Sequence, residues 1–298
     1  MNIESLRAER LPNNPLITPA SAPSIGANIN GPSVIRVPAW IEKPLGRYYL
    51  YFAHHGGQHI RLAYADAPEG PWSVYEPGTL QLDEAPAMQG HIASPDVHVD
   101  HARHELRMYY HGVTRERPGQ WTCVAFSSDG LRFRSESELL CKFYLRAWTW
   151  RGAVYGLAKS DNDGYGVLLR SPDGLQPFAV REPFLADMRH AAVYLSGHTL
   201  LVLYTRVGDA PERILATTID LRSDWQEWEA TEPRELLRPE LPYEGTAYPV
   251  EPSRPGSATG VRQLRDPCLF AEDDKLYLYY SIAGEEGLAG ARLCVNGA

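Results

Sequence analysis

The chain has 298 residues, 44% of them hydrophobic, 10% aromatic and 22% charged, with a formal net charge of -8 at pH 7. That length and make-up support a substantial core, and the dispersed negative charge excludes the basic footprint of a nucleic-acid binder or of a protein held to an anionic membrane. Four cysteines without C-x-x-C or Cys/His metal spacing read as buried, reduced thiols. Residues 1–12 carry no apolar segment of a signal peptide, and no apolar run is long enough to span a bilayer, so a soluble, cytoplasmic location is expected.

No helical period is sustained, while short runs of Tyr, Val, Leu and Phe lie between frequent Pro and Gly. The first predicted strand is 32–37, followed by a strongly aromatic one at 48–53, a third at 60–65 and a Pro/Gly turn ending at Trp72. The same order returns at 95–99, 106–111 and 123–127, closed by the turn Ser128-Asp129-Gly130. It returns again at 146–150, 153–158 and 166–170, closed by Ser171-Pro172-Asp173-Gly174. A looser copy runs through 191–195, 200–206 and 214–219, and a last one through 267–270, 276–282 and 288–293. Tight turns of this chemistry between strands make antiparallel hairpins, and the aromatic after each turn starts a fourth, outer strand.

Five such units predict an all-β, five-bladed β-propeller with four-stranded antiparallel blades. The expected domain is single, with blades at about 28–80, 91–138, 139–182, 183–240 and 262–298. A β-sandwich would not produce five copies of one turn order. The fifth unit lacks room for a fourth strand, so an N-terminal strand within 7–18 should complete it and close the ring, removing an open edge.

In such blades the start of the innermost strand and the end of the second lie on one face. Those positions hold Asn30, Ser94, Asp96, Arg146, Arg189, His190, Arg265 and Asp266, then His54, His55, His111, Lys159, Arg206 and Glu285 or Glu286. The opposite ends are ordinary turns such as 100–105. One-sided polarity points to a functional funnel, although Arg146 or Arg265 with Asp266 could equally plug the channel as ion pairs. Two long connections, 76–91 and 232–264, should open on the same face, the second carrying Glu244.

The openings Asn30-Gly31-Pro32-Ser33, Ser94-Pro95-Asp96-Val97 and Arg265-Asp266-Pro267 resemble those of the five-bladed glycoside hydrolases, families 43, 62, 32 and 117, and in particular uncharacterised family 43-like proteins. The resemblance implies an axial acidic triad from the first three blades. Asp96 falls on the second position, whereas Asn30 and Arg146 stand where an Asp and a Glu are expected. It also admits a calcium-like divalent cation at the axis, with several of His54, His55, His91, His98 and His111 converging near Asp96. No cofactor is required, and the lack of H-x-H or H-E-x-x-H argues against catalytic zinc.

The expected function is therefore a glycoside hydrolase-like enzyme acting on a sugar, an oligosaccharide or a sugar-derived small molecule. Its candidate catalytic residues are Asp96, Asp266, Glu244, His54 and His111, because hydrolysis needs two proton-transferring groups across the scissile bond. Asn30, His55, Arg146, Trp148, Lys159, Arg189, His190, Arg206 and Arg265 are the candidate substrate contacts. The same set also suits a non-hydrolytic lyase, isomerase or cyclase, or a propeller that only binds its ligand. Locking both Asp96 and Asp266 into arginine salt bridges would exclude hydrolysis.

Overall fold

A computed structural model of the chain describes residues 3–160 and 164–295. The last residues of the fifth expected blade, 296–298, lie outside them. After β1 (Leu6–Arg10) the chain lays down four further strands, β2 (Asn30–Arg36), β3 (Tyr48–Ala53), β4 (His59–Ala65) and β5 (Ser73–Gln81), which form the first sheet in that order. The second sheet holds β6 (Met88–Asp100), β7 (Glu105–Thr114) and β8 (Gln120–Ser127), and its outer edge is split into β9 (Arg134–Ser135) and β10 (Cys141–Lys142). The third is β11 (Arg146–Trp150), β12 (Ala153–Lys159), β13 (Tyr165–Ser171) and β14 (Ala179–Ala186). The fourth is β15 (Met188–Ser196), β16 (Thr199–Arg206), β17 (Ile214–Asp220) and β18 (Arg234–Leu237).

The last sheet is β19 (Arg265–Glu272), β20 (Lys275–Ile282) and β21 (Gly287–Val295), completed by β1 from the other end of the chain. Leu6 pairs with Val295 and Arg10 with Ala291, all antiparallel. The protein is an all-β, five-bladed propeller, and its N-terminal strand closes the ring.

The aromatic second strands show why the ring is stable. All six residues of β3 are buried, as is β20 from Leu276 onward. A middle strand in a sheet covered on both faces has no solvent side, so alternation gives way to continuous apolar sequence. Five hydrophobic cores result, each shared by two neighbouring blades. Tyr49, Tyr51, Met88 and Phe133, for example, join the first blade to the second. The smallest of the five lies between the second and third blades, where the outer edge of the second is broken.

The connections differ from expectation in one respect. Residues 76–91 are mostly strand, because β5 runs to Gln81 and β6 starts at Met88. The remaining long connection, 238–264, folds back over the axis.

Candidate functional site

The site begins with a repeated irregularity. Four inner strands carry the same register break, between Asn30 and Ser33, Ala93 and Asp96, Met188 and Ala191, and Arg265 and Cys268. Each break bulges two residues towards the axis: Gly31-Pro32, Ser94-Pro95, Arg189-His190 and Asp266-Pro267. Gly31, Ser94 and Asp266 have positive φ, at 62, 47 and 48 degrees. The proline that follows has no N–H to leave unpaired in the bulge. At the first blade only glycine fits, since a Cβ on Gly31 would lie 3.0 Å from Ser94 Cα. In the third blade the positive-φ residue is Tyr144, at 59 degrees, just ahead of β11.

Arg146 forms the floor. Its guanidinium donates from Nη1 to Pro95 O (2.7 Å), from Nη2 to Pro32 O (3.3 Å) and from Nε to Ala191 O (3.2 Å). It thereby ties the bulges of blades one, two and four around the axis.

Above this floor the side chains form a collar. His55 lies 6.4 Å from His91 between ring centroids, His91 lies 6.3 Å from His111, and His111 lies 4.5 Å from Tyr144. Tyr144 stands edge-on 4.4 Å from His190, whose Nδ1 is 3.1 Å from Asp266 Oδ1. Glu285 Oε2, 3.7 Å from His55 Nδ1, joins the collar. Every blade contributes to it.

A layer of ion pairs supports the fifth-blade side. Glu285 accepts hydrogen bonds from Asn28 (2.8 Å), Asn30 (3.0 Å), Ser257 (2.9 Å) and Arg265 (3.0 Å). Arg265 also lies 3.3 Å from Glu212, which in turn accepts from Arg189 at 2.8 Å. Arg189 and Arg265 both donate to Gly256 O in the long connection, which holds that segment down on the rim. Alternating signs are what allow four buried charges to coexist, although Glu212 Oε2 meets Arg265 only as an ion contact.

Asp266 differs from its neighbours. Among the described residues no arginine lies within ion-pair distance of it, Arg265 and Arg146 act on it only through space, and it accepts a hydrogen bond from Ser281 Oγ at 2.9 Å. Burial, and then the nearby Glu285 charge, push its carboxyl up to about 7. Burial also opposes ionisation of Glu285, but His55, Arg265, Asn28 and Asn30 hold that carboxyl below its ordinary value. The pair therefore divides into an Asp266 that keeps its proton up to about pH 7 and a Glu285 that stays ionised. Burial, followed by Arg189, Arg265 and Lys159, drives His190 well below the usual imidazole value. His111 is lowered in the same way by burial and then by His91 and His55. His190 Nδ1 is buried without a well-aligned partner, opposite Asp266. A carboxylic acid proton directed at a neutral imidazole suits that gap.

The funnel thus gathers Asn30, His55, His111, Arg189, His190, Arg265 and Asp266 of the expected residues, with Lys159 buried beside them. Arg206 pairs with Asp209 at 3.2 Å on the rim. His54 accepts a hydrogen bond from Gly56 N within its own turn, outside the collar. Glu244 is fully buried but bound to Arg10 and Tyr280, tying β1 to the long connection away from the axis. Trp148 packs on Tyr155 in the core between blades three and four. Asp96 lies beyond its bulge, below Arg146, where it accepts from Ala147 N (2.9 Å) and pairs with His98 Nε2 (2.8 Å).

Tyr144, Glu212, Asn28 and His91 were not among the expected catalytic or substrate contacts. Tyr144 lacks the following proline that marks other bulges, and Glu212 lies in an unremarkable loop between β16 and β17. Among the described residues no three His, Cys, Asp or Glu side chains are grouped to hold a metal ion. His98 alone joins Asp96, while His55, His91 and His111 face the funnel. With the Arg146 cation already on the axis, these residues do not fit a calcium-like ion, which needs many oxygen ligands and no adjacent positive charge.

This is the five-bladed fold of the glycoside hydrolase propellers. A glycosyl hydrolase from Bacteroides ovatus superposes with a TM-score of 0.69 at 11% identity, covering 98% of this chain and 95% of that one. A structure from the GH130 family of mannoside phosphorylases, which contains glycoside hydrolases targeting beta-1,2 mannosidic linkages in Candida mannan, gives 0.67 at 12% identity over 96% and 93%. The GH43_1 enzyme from Xanthomonas citri complexed with xylose gives 0.60 at 12% identity over 98% and 90%. No protein-family model matches the chain. It belongs to the same family as the uncharacterized protein R118 of Acanthamoeba polyphaga mimivirus, with 36% identity over 89% of this chain and 83% of that protein.

Among the described residues no helix is long and apolar enough to cross a membrane.

Proposed function

We propose that the protein is an enzyme acting on a sugar or sugar-derived small molecule in the axial funnel, with Asp266 as its acid. The observation that carries this reading is the Asp266 carboxyl, buried at an axial bulge, raised to about 7 and facing the neutral His190. A group with a pKa near the working pH both donates and recovers a proton efficiently. Xylose-bound and mannoside-directed enzymes of the same fold support a carbohydrate as the ligand. The Tyr144 ring, held between His111 and His190, supplies a wall for that ligand.

A second reading is favoured by the state of Glu285. Its four hydrogen bonds leave no second carboxylate disengaged beside Asp266 to activate water, which suits elimination, isomerisation or cyclisation better than two-carboxylate hydrolysis.

One experiment tests both. A panel of aryl glycosides and free sugars is incubated with the protein in water enriched in oxygen-18, and products are read by mass spectrometry. Hydrolysis places the heavy isotope in the sugar product; elimination or rearrangement does not. Asp266→Asn should lower turnover by roughly the factor of 100 or more associated with loss of a general acid. Undiminished turnover in that variant would remove Asp266 from the chemistry.

A further inference from the structure

Asp96 and His98 are left outside the funnel, yet their geometry is that of a built site. Asp96 is held ionised: burial opposes this, but His98, Arg146 and Ala147 N outweigh it. An ionised carboxylate can only accept, so the 2.8 Å contact puts the proton on His98 Nε2 and leaves Nδ1 as the unengaged ring nitrogen. His98 is 38% exposed and stands where two cavities meet. One, of about 150 Å³, lies on the axis beneath Arg146 and is lined by Ser33, Asp96 and Cys268. The other, of about 490 Å³, opens on the face opposite the funnel, between blades two and three. Its position follows from the packing, because the core joining those blades is the smallest of the five.

The polar lining of the larger cavity is asymmetric in its hydrogen-bonding capacity. One oxygen of each carboxylate is capped: Asp100 Oδ1 accepts from Ala102 N and Arg103 N, and Asp173 Oδ1 from Leu175 N and Gln176 N. The donors are engaged only in part. Arg107 is fixed through Nη1 to Tyr109 Oη (3.2 Å) and Asp173 O (2.8 Å), which orients the rest of its guanidinium. Arg103 makes a single long contact to Asp100, at 3.9 Å. Two guanidinium groups beside carboxylates whose Oδ1 atoms are capped by backbone N–H groups call for a ligand that accepts hydrogen bonds, while His98 Nδ1 is an acceptor for a hydroxyl of that ligand.

The geometry points to a second ligand site here, distinct from the funnel, for a small oxyanion-bearing molecule such as a phosphorylated or carboxylated sugar. Arg107 is its anchor, with the Asp96–His98 pair at its inner wall. Guanidinium matches phosphate and carboxylate in both charge and shape. The site also has a route to the funnel floor, since Asp96 Oδ1 lies 3.6 Å from the Arg146 group that holds three of the axial bulges.

The test is titration of the intact protein with inorganic phosphate, glucose 6-phosphate and glucose. Calorimetry gives the affinity, and NMR of the histidine rings gives the location. Both phosphates should bind and shift the His98 resonances, while glucose should leave those resonances unmoved. Binding of the sugar phosphate but not of inorganic phosphate would identify the sugar ester as the ligand source. Arg107→Met should weaken phosphate binding about tenfold or more, as expected for loss of a charge-assisted hydrogen bond. Arg103→Met, at a side chain 60% exposed, should weaken it several-fold with the fold undisturbed. Parent affinity in both variants, absence of binding by either phosphate, or shifts at His55 and His111 in place of His98 would overturn the assignment. None of these outcomes bears on Asp266, whose role is decided by the isotope experiment.

Discussion

Asp266→Asn removes one titration while keeping the shape of the site. In the parent protein Ser281 Oγ donates to one carboxyl oxygen, and the other faces His190 Nδ1 at 3.1 Å. An asparagine fills both roles, with its carbonyl accepting from Ser281 and its amide donating to the neutral imidazole. What disappears is the proton. The Asp266 carboxyl is raised from 3.8 to about 7, first by burial and then by Glu285. Between those values the native protein keeps a proton that the unfolded chain has released. The group's contribution to stability is therefore complete below about pH 4 and is lost as pH rises through 7. At about 1.4 kcal/mol per pKa unit, a shift of about three units corresponds to roughly 4 kcal/mol, of which about 2 kcal/mol falls between pH 5 and pH 7. Urea unfolding followed by tryptophan fluorescence, at intervals from pH 5 to 8.5, measures it. The lowered histidines act in the opposite sense, lending stability above about pH 6.5 that is lost on acidification, but they are common to both proteins and cancel in the difference. Relative to the parent, the variant should gain about 2 kcal/mol from pH 5 to 7 and level off by about pH 8. A difference that stays flat across that range refutes the reasoning. So does a gain seen in Glu285→Gln in place of Asp266→Asn, since it would put the shared proton on the other carboxyl.

The architecture was legible in the sequence because turn chemistry and aromatic second strands repeat with the blade. Both report local physics: a Ser-Asp-Gly hairpin, or a strand such as Tyr48–Ala53 covered on two faces, behaves alike wherever it stands. The funnel was legible as a face and less so as a set of contacts, for a geometric reason. Four of the five inner strands bulge by two residues, so equivalence along the ring depends on the bulge and not on the apparent strand start. Asp266 corresponds to Gly31 and Ser94, and Asp96 to Ser33 and Cys268. That shift moves Asp96 below the Arg146 floor and leaves Asp266 above it. Partners were harder still to read. Glu212 reaches Arg189 and Arg265 from a loop, and the carbonyls of Arg254 and Gly256 take up guanidinium donors from a segment with no repeat counterpart. The arginines expected to grip a substrate are consequently turned to protein acceptors, which no spacing rule encodes.

Two further perturbations test the ring itself. Arg146→Met keeps much of the side chain's volume but frees the carbonyls of Pro32, Pro95 and Ala191 and leaves Asp96 without its cation, so a loss of about 3–5 kcal/mol in chemical denaturation is expected. Unchanged stability would mean that the axial bulges hold without their bolt. Removal of residues 1–18 acts through closure. It strips the five pairs between β1 and β21 together with the Ile17–Leu288 bridge. It also deletes the buried Leu6, Leu11, Leu16 and Ile17, whose burial at about 1.5–3 kcal/mol each amounts to roughly 6–12 kcal/mol, comparable to the whole stability of a folded protein. Arg10 goes with them, so the fully buried Glu244 loses its salt-bridge partner while β21 becomes an open edge next to it. These effects all oppose folding, and the last also invites strand pairing between molecules. Expression of the truncated chain should therefore yield aggregate. A soluble, monodisperse product melting at the parent temperature would show that β1 decorates the ring without closing it.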